Sequence, residues 1–409
     1  MIVLQIGQCG IQVGQSLFES LLSENVASDY VHYPFSLLSQ IAIDTERKVW
    51  NKRSRLSNST LFDPFYLDHG SSGRGNNWAH GYYDDSKIDE IMESYRKLVE
   101  SSYSYDGCML IHSLAGGTGS GLGSRLTQEI RETYGKNTIM TASFSPFITG
   151  ETALQNYNSL LSLSVLQRNV DLIGFFPNDS LLASVTKHQS IKSHSDKIRK
   201  IHIETLNEYA VNCLLGQILP ITPLADPTIN LQRFNTLDFI YEMTPSPLHK
   251  FCLFASSNVS TNHQMDSWDD TLSNLLRNIP PEPNFIPSSV SSKLVLRGVI
   301  GLDVNKRLDQ LTSRWQQRIG QSFIPSTNPN IVFSQLYGLN VKDCKRTAET
   351  CFNSNLILKY LSPIYDKSQS MYNQKAYLHW YNRYCTNDVS ELFDDAFETV
   401  ADVLTSYDL

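Results

Sequence analysis

The eight consecutive residues Ala115-Gly116-Gly117-Thr118-Gly119-Ser120-Gly121-Leu122 carry the most chemistry in this chain. Glycine lets backbone N–H groups converge on an anion, because no Cβ blocks the approach and φ can turn positive. The apolar run Cys108-Met109-Leu110-Ile111 before them reads as a strand, and Gly123-Ser124-Arg125-Leu126-Thr127 after them can propagate a helix. A helix start adds unpaired amides and the positive end of a dipole. A strand, then glycines interleaved with hydroxyls, then a helix makes a phosphate cradle. A plain glycine turn is the other reading. No lysine occurs between Asp106 and Lys136, so the Gly-Lys-Ser/Thr ending of a Walker-type loop is absent. A nicotinamide fold would place its glycines after the first strand, with an acid about 20 residues on. Here they follow a later strand, and the next acids, Glu129 and Glu132, lie on the helix itself.

Those residues need a scaffold, and the first half of the chain alternates strand and helix patterns. Residues 2–6, 40–44, 107–113, 137–144 and 171–176 read as strands, and 10–22, 87–100, 154–168 and 179–185 as helices. Within 87–100, Ile88, Ile91, Met92, Tyr95, Leu98 and Val99 share one helical face. The alternation predicts an α/β fold with a doubly wound, mostly parallel sheet and ligand beyond the strand C-termini. Residues 203–219 read as one long helix ended by Pro220 and Pro223. Strand-like runs recur at 251–255, 293–300, 330–336 and 355–361, which predicts a second, mixed α/β domain. Residues 364–382 and 390–407 predict a C-terminal helical hairpin. The expected division is 1–201, 202–360 and 361–409.

Composition narrows the classes. At 409 residues, 41% hydrophobic and 18% charged, the chain has core enough for two or three globular domains. No apolar run approaches the roughly 20 residues of a membrane helix. Met1-Ile2-Val3-Leu4-Gln5-Ile6 enters directly as a strand, without a basic leader. The expectation is a soluble, untargeted chain with no membrane partner. Seven scattered cysteines without a C-x-x-C pair fit reduced thiols and give no zinc spacing. Net charge is −7, and residues 388–409 hold seven acids with no lysine or arginine, so the remainder is balanced. Without a basic stripe, nucleic acid is not an expected partner. Val389, Leu392, Phe393, Ala396, Phe397, Val400 and Leu404 form an apolar stripe that turns those acids outward. Such a face is first a solvated surface and second an attractor of basic partners. His112 and His379 read as packed or hydrogen-bonded rather than as general bases, which leaves a metabolic nucleotide enzyme without a catalytic constellation.

Several segments, in order, resemble the tubulins. They are Gly7-Gln8-Cys9-Gly10-Ile11-Gln12-Val13-Gly14, Gly75-Asn76-Asn77-Trp78-Ala79, the glycine cradle, Asn156-Tyr157-Asn158, and Ala376-Tyr377-Leu378-His379-Trp380-Tyr381. The resemblance covers nearly the whole chain. Leu294-Val295-Leu296-Arg297-Gly298, Gly150-Glu151 ahead of Gln155-Asn156-Tyr157-Asn158, and an end near 403–409 are most similar to the δ-tubulins.

The resemblance implies a Rossmann-like GTPase domain that takes GTP or GDP with Mg²⁺. Gln8 and Cys9 would meet phosphate at the start of the first helix, and Asn76 would stand near the γ-phosphate. Ser113 would end its strand beside the phosphates, with Gly116, Gly117, Thr118 and Gly119 as the cradle. Asp44 and Glu46 match acids that act on Mg²⁺ through water, which suits a hard cation that keeps its hydration. Asn178 and Asn207 would read the guanine edge, since a carboxamide both donates and accepts. Glu151 and Gln155 would lie by the ribose, Gln155 in place of a charged family glutamate. Ile203 stands where the family stacks an aromatic ring, which leaves apolar packing only. Plainer alternatives stay open: Gln8 as a polar helix start, Asp44 and Glu46 as an exposed loop pair, Asn178 as a helix cap, Asn207 as part of a solvated face.

Asp238 aligns with a carboxylate that acts in trans on the nucleotide of a longitudinal neighbour, while Asn235 replaces an acid one turn earlier. A solvated helix carboxylate is the other reading of Asp238. Any GTPase activity would therefore depend on assembly. The implied partners are other tubulins, ε-tubulin or α/β-tubulin among them. The implied place is the cytoplasm and cytoskeleton, at the centriole, centrosome or basal body, supporting doublet and triplet microtubules and the cilium. Between Gly14 and Asp44 the chain is shorter than in tubulins that build ordinary lattices, in a stretch the family uses laterally. That favours an alternative, a non-polymerising regulatory GTP-binding protein that binds or sequesters tubulin.

Overall fold

A parallel sheet covered on both faces needs predominantly apolar strands, and the central strands meet that condition, with Gln5, His112, Thr141 and Ser143 among the buried polar exceptions. The computed structural model describes residues 1–23, 39–46, 65–68, 73–102, 105–150, 152–192, 201–219, 221, 234–257, 267–279, 286–298, 310, 313–322, 330–334, 346–386 and 388–408. In it, β1 (Ile2–Ile6), β2 (Ser39–Asp44), β4 (Cys108–Ser113), β5 (Ile139–Ser145) and β6 (Leu172–Pro177) are buried almost residue by residue. With β3 (Phe65–Asp68) beside β2, they run parallel in the order 3-2-1-4-5-6. That order is the doubly wound arrangement, in which the chain reverses its direction of travel between β1 and β4.

The sheet then continues without a break to eleven strands. β7 (Phe251–Ser256) pairs parallel with β6, and β11 (Arg346–Ser354) lies antiparallel between β7 and β8 (Ser288–Gly298). β10 (Asn330–Ser334) and the two-residue β9 (Gln321–Ser322) each pair parallel with β8. One face is covered by α1 (Gly7–Ser23), α6 (Asn178–Lys192), α7 (Ile203–Ile218) and α8 (Thr236–Met243). The other carries α2 (Trp78–Tyr82), α3 (Ile88–Ser101), α4 (Gly123–Thr133), α5 (Gln155–Asn169) and α9 (Trp268–Asn278). The C-terminal α10 (Leu358–Asn373), α11 (Leu378–Asn382) and α12 (Val389–Tyr407) lie on that same side. The acids of α12 face outward as expected, and Tyr407 pins its end by donating to Asn353 Oδ1 at 2.7 Å. Among the described residues no helix is long and apolar enough to cross a membrane.

Two sequence-based expectations are corrected. Residues 355–361 are not a strand: the strand is β11, which ends at Ser354, and Asn355–Ile357 is a 3-10 turn leading into α10. Ser354 Oγ accepts from Leu356 N and so caps the helix. Asn355–Ile357 and Leu361 are buried and only Lys359 is exposed, and a short apolar run has no period that separates strand from helix. Nor is 364–382 one helix. It begins earlier, at Leu358, and stops at Asn373, where Lys375 and Tyr377 take left-handed φ of 53° and 59°. This turn lays α11 over α2, where Asn77 Nδ2 donates to Trp380 O at 3.0 Å.

β11 also buries Glu349 beneath α7. A Cβ on Gly216 would lie 2.1 Å from Glu349 Cγ, so glycine is required for this approach of helix and strand. Burial pushes the Glu349 carboxyl up to about 7, against the pull of the Arg297 charge and Thr347. The penalty for ionising it is absent below the unfolded carboxylate value, grows as pH rises, and is complete above about 7. Glu349→Gln should therefore stabilise the protein by on the order of 1–3 kcal/mol at pH 8 and change little at pH 5. Urea midpoints at the two pH values test this; an equal effect at both would rule out charge as the cause.

Candidate functional site

A cavity of about 430 Å³ opens beyond the C-terminal ends of β1, β2 and β4, at the point where the strand order reverses. Ligands of doubly wound sheets bind at that point. Gly7, Gln8, Cys9 and Gln12 line it from the start of α1, and Asp44 and Glu46 from the end of β2. Arg74, Gly75 and Asn76 come from the segment before α2; Ser113, Ala115, Gly116, Gly117, Thr118 and Gly119 follow β4, and Thr152 precedes α5.

The glycine run is not a loose loop. Gly117–Leu122 forms a π-helical turn that passes directly into α4. Such a turn is wound wide, and its leading amides have no acceptor within the helix. The left-handed backbone is found elsewhere, at Gly7 (φ 72°), Gly75 (φ 58°) and Asn76 (φ 50°). In the cradle glycine serves close approach instead. A Cβ on Gly117 would lie 2.8 Å from Arg74 Cβ and 2.9 Å from Asn77 N, and one on Gly119 2.9 Å from Ser113 O. Gly116 differs, because an added Cβ meets nothing nearer than Asn76 Oδ1 at 4.0 Å and would enter the cavity.

Beneath the turn His112 is fully buried, and burial lowers its pKa to about 4, so the ring is neutral. The Gly119 carbonyl can only accept, so Nδ1 carries the proton and donates to it at 2.9 Å. Nε2 then accepts from Ser143 Oγ at 2.9 Å. The histidine is a strut for the cradle, in line with the sequence reading. At the other end Thr45 Oγ1 and Thr118 Oγ1 share a hydrogen bond of 2.8 Å. Asp44 Oδ1 accepts from Thr45 N at 2.7 Å and Glu46 N at 3.3 Å. Asp44 Oδ2 is buried with no hydrogen-bond partner among the described residues. Burial pushes the carboxyl up to about 6, with the nearby Glu46 charge adding to it and the two amides opposing. An orphaned buried carboxylate oxygen beside anion-seeking amides fits a polyphosphate with a hydrated divalent cation. Among the described residues no three His, Cys, Asp or Glu side chains cluster to hold a metal by themselves. Such a cation would therefore rest on Asp44, Glu46, water and the ligand's own oxygens.

Asn158, on α5, ties these loops together. It is fully buried, and its Nδ2 donates to Asn76 O and Ala115 O, both at 2.7 Å. Its Oδ1 accepts from Trp78 N at 2.9 Å and from Tyr381 OH at 2.7 Å. One carboxamide thus joins the segment before α2, the cradle and α11.

Comparison with known proteins agrees with this geometry. Residues 1–186 match the Tubulin/FtsZ family, GTPase domain. The chain is 27% identical to the tubulin delta chain of Homo sapiens over 472 aligned residues, spanning 100% of this chain and 99% of that one. It is 26% identical to the tubulin beta-1 chain of Geotrichum candidum over 440 residues, spanning 100% and 94%. Residues 1–186 are thus a GTPase domain of the Tubulin/FtsZ family, and the chain as a whole is similar to the tubulins. That GTPase domain is a GTP/GDP-binding one, and it supplies the described lining of the cavity at the strand reversal.

Of the residues expected at a tubulin-family site, Gln8, Cys9, Asp44, Glu46, Asn76, Ser113, Gly116, Gly117, Thr118 and Gly119 are brought together around the cavity. Gln155 is not in the lining. Its Nε2 donates to Phe147 O at 2.9 Å, so its amide braces the turn that carries Thr152. Glu151 lies outside the described residues. Asn178 begins α6 and Asn207 is buried on α7, neither of them in the lining. Asn178 follows β6, four strand positions from β2, which is about 19 Å at roughly 4.8 Å per strand. That is the span from one end of an extended nucleotide to the other, not a distance across its phosphates. Asp238 is exposed on α8, far from the cavity of its own chain, and Asn235 is the N-cap of that helix, accepting from Leu237 N and Asp238 N. Sequence reasoning missed Gly7, Gln12, Arg74, Gly75 and Thr152 in the lining, and the role of Asn158. Gln12 was within reach, standing one helical turn after Gln8. Asn158 stands in the Asn156-Tyr157-Asn158 motif, but its task is not legible there because its partners come from three distant segments.

Proposed function

We propose that this tubulin-like chain binds GTP or GDP with Mg²⁺ in the cavity and stacks head-to-tail on another tubulin. The observation that carries the nucleotide reading is the glycine turn facing the orphaned Asp44 Oδ2 across one cavity. The amides at the starts of α1 and α4 hold phosphate, and Asp44 and Glu46 hold the hydrated Mg²⁺, which neutralises the terminal phosphates. Asn178 and Asn207 meet the guanine edge, with Gln155 and Glu151 toward the ribose. Heating the purified protein, extracting its nucleotide and identifying it chromatographically tests this. Recovery of no guanosine nucleotide, together with no uptake of GTP or GDP in the presence of Mg²⁺, would overturn it.

The head-to-tail reading rests on where α8 lies. Thr236 Oγ1 donates to Met1 Sδ at 3.8 Å, and Gln167, at the end of α5, donates to Pro247 O and Leu248 O. α8 and the turn after it thus sit at the N-terminal edge of the sheet, at the opposite end of β1 from the cavity. A second copy displaced along the strand direction would present its Asp238 toward the first copy's nucleotide. Leu237 (46% exposed) and Tyr241 (71%) flank that acid and supply apolar contact area. Asp238 then positions the attacking water in trans. Asp238→Ala should leave nucleotide binding unchanged and lower assembly-stimulated GTP hydrolysis by about tenfold or more. Unchanged hydrolysis would remove Asp238 from the mechanism.

The similarity to tubulin delta chains supports a δ-tubulin-like component of centrioles or basal bodies, with α/β-tubulin or ε-tubulin as longitudinal partner. The shortened stretch between Gly14 and Asp44, part of which lies outside the described residues, favours the second reading, a regulatory protein that sequesters tubulin without polymerising. Sedimentation with purified α/β-tubulin, with and without GTP, separates the two: co-pelleting supports the first, and a soluble complex the second.

A further inference from the structure

Arg74 is the one cation in a described cavity lining whose other charged groups are Asp44 and Glu46. Its position is fixed from both sides. The preceding Gly73 lies so close to Glu46 that a Cβ there would be 2.0 Å from Oε1, and the Arg74 Cβ itself abuts Gly117 of the cradle. The side chain is only 10% exposed, and its guanidinium pairs with Asp84 through Nη2. Asp84 is itself held, because its other oxygen caps the 3-10 turn Asp85–Lys87 by accepting from Ser86 N. Burial works to raise the Asp84 carboxyl, but Ser86 and the Arg74 charge outweigh it and hold it below the usual range.

We propose that Arg74 is a specificity-determining residue that binds the terminal phosphate of a nucleoside triphosphate and so favours it over the diphosphate. The inference rests on the nucleotide reading above and adds its direction. Asn178 follows β6 and Asp44 follows β2, so the ligand lies along the sheet edge with its base toward β6 and its phosphate tail toward β2. Arg74 stands at the β2 end, beside Glu46. A diphosphate stops one phosphoryl group short of that end, whereas a triphosphate reaches it. The guanidinium carries five donors in a fixed fork, so one edge can stay on Asp84 while another meets phosphate oxygens. Asp84 thereby preorganises a side chain that would otherwise lose rotamer freedom on binding.

Calorimetric titration with GDP and with a non-hydrolysable GTP analogue, both with Mg²⁺, tests the assignment. Arg74→Met is expected to weaken the triphosphate about tenfold, the worth of one charge-assisted hydrogen bond, and GDP less than about twofold. Arg74→Lys keeps the charge but loses the fork, and should fall between Met and the native residue. Retained GDP binding shows that the variant is folded; where Arg74→Met does not fold, the Arg74→Lys ratio decides alone. Equal weakening of both nucleotides, or a native triphosphate-to-diphosphate ratio in Arg74→Lys and Arg74→Met, overturns the proposal. Failure of the nucleotide reading would look different, since the native protein would bind neither ligand.

Discussion

Asn158→Ala is expected to cost about 3 kcal/mol of stability and to abolish retention of guanine nucleotide. The side chain makes four hydrogen bonds in a fully buried setting, each worth about 1 kcal/mol net, and its removal strands the Asn76 and Ala115 carbonyls. The cavity sits on those same two segments, so they lose their common anchor along with the energy. Asn158→Asp sharpens the test. It keeps an acceptor for Trp78 N and Tyr381 OH but loses both donors and points a carboxylate at two carbonyl oxygens, so it should fail as well. Tyr381→Phe removes one bond of the four and should cost only about 1 kcal/mol. Urea unfolding and nucleotide content of the purified variants measure all three. Native nucleotide content in Asn158→Asp would show that the carboxamide does not organise the site.

Gly116→Val should lower guanine nucleotide affinity by about 100-fold or more, close to 3 kcal/mol, while leaving the unfolding midpoint of the nucleotide-free protein nearly unchanged. The added side chain has open space on the protein side and occupies the volume a phosphate would use. Gly121→Ala is the contrasting variant. Its Cβ would lie 2.2 Å from Trp78 O and 2.8 Å from Tyr82 N, both backbone atoms, so stability falls and any loss of binding follows from it. Two glycines five residues apart thus separate ligand space from packing space. If Gly116→Val bound GTP as the native protein does, the phosphates lie elsewhere.

The first half of the fold was legible because its short, mostly apolar strands alternate with helices, which predicts a doubly wound parallel sheet; β3 and the order 3-2-1-4-5-6 were decided by the structure. The second half was less so. Residues 355–361 look like a strand, yet what ends the strand and starts the helix is one hydroxyl, Ser354, bonding to Leu356 N. The break after Asn373 was hidden in a stretch with helical residues throughout, since what bends it is the docking of α11 onto Asn77 and Tyr157. Gln155, read as a ribose contact, has its amide on Phe147 O, a partner that no local spacing reveals.

Residue types by themselves settled the chemistry on offer: a glycine run with hydroxyls between a strand and a helix, acids at a strand end, and an acidic outer face on the last helix. Those are local properties, carried by Cβ absence, charge and hydrophobic period. Tertiary structure alone decided that the run is a π-helical turn, that one Asp44 oxygen has no partner among the described residues, and that Arg74 and Asn158 belong to the same region. The reason is distance along the chain. Asn76, Ala115, Asn158 and Tyr381 meet only because the sheet brings four remote segments to one edge, and buried polar groups must find partners wherever the fold places them.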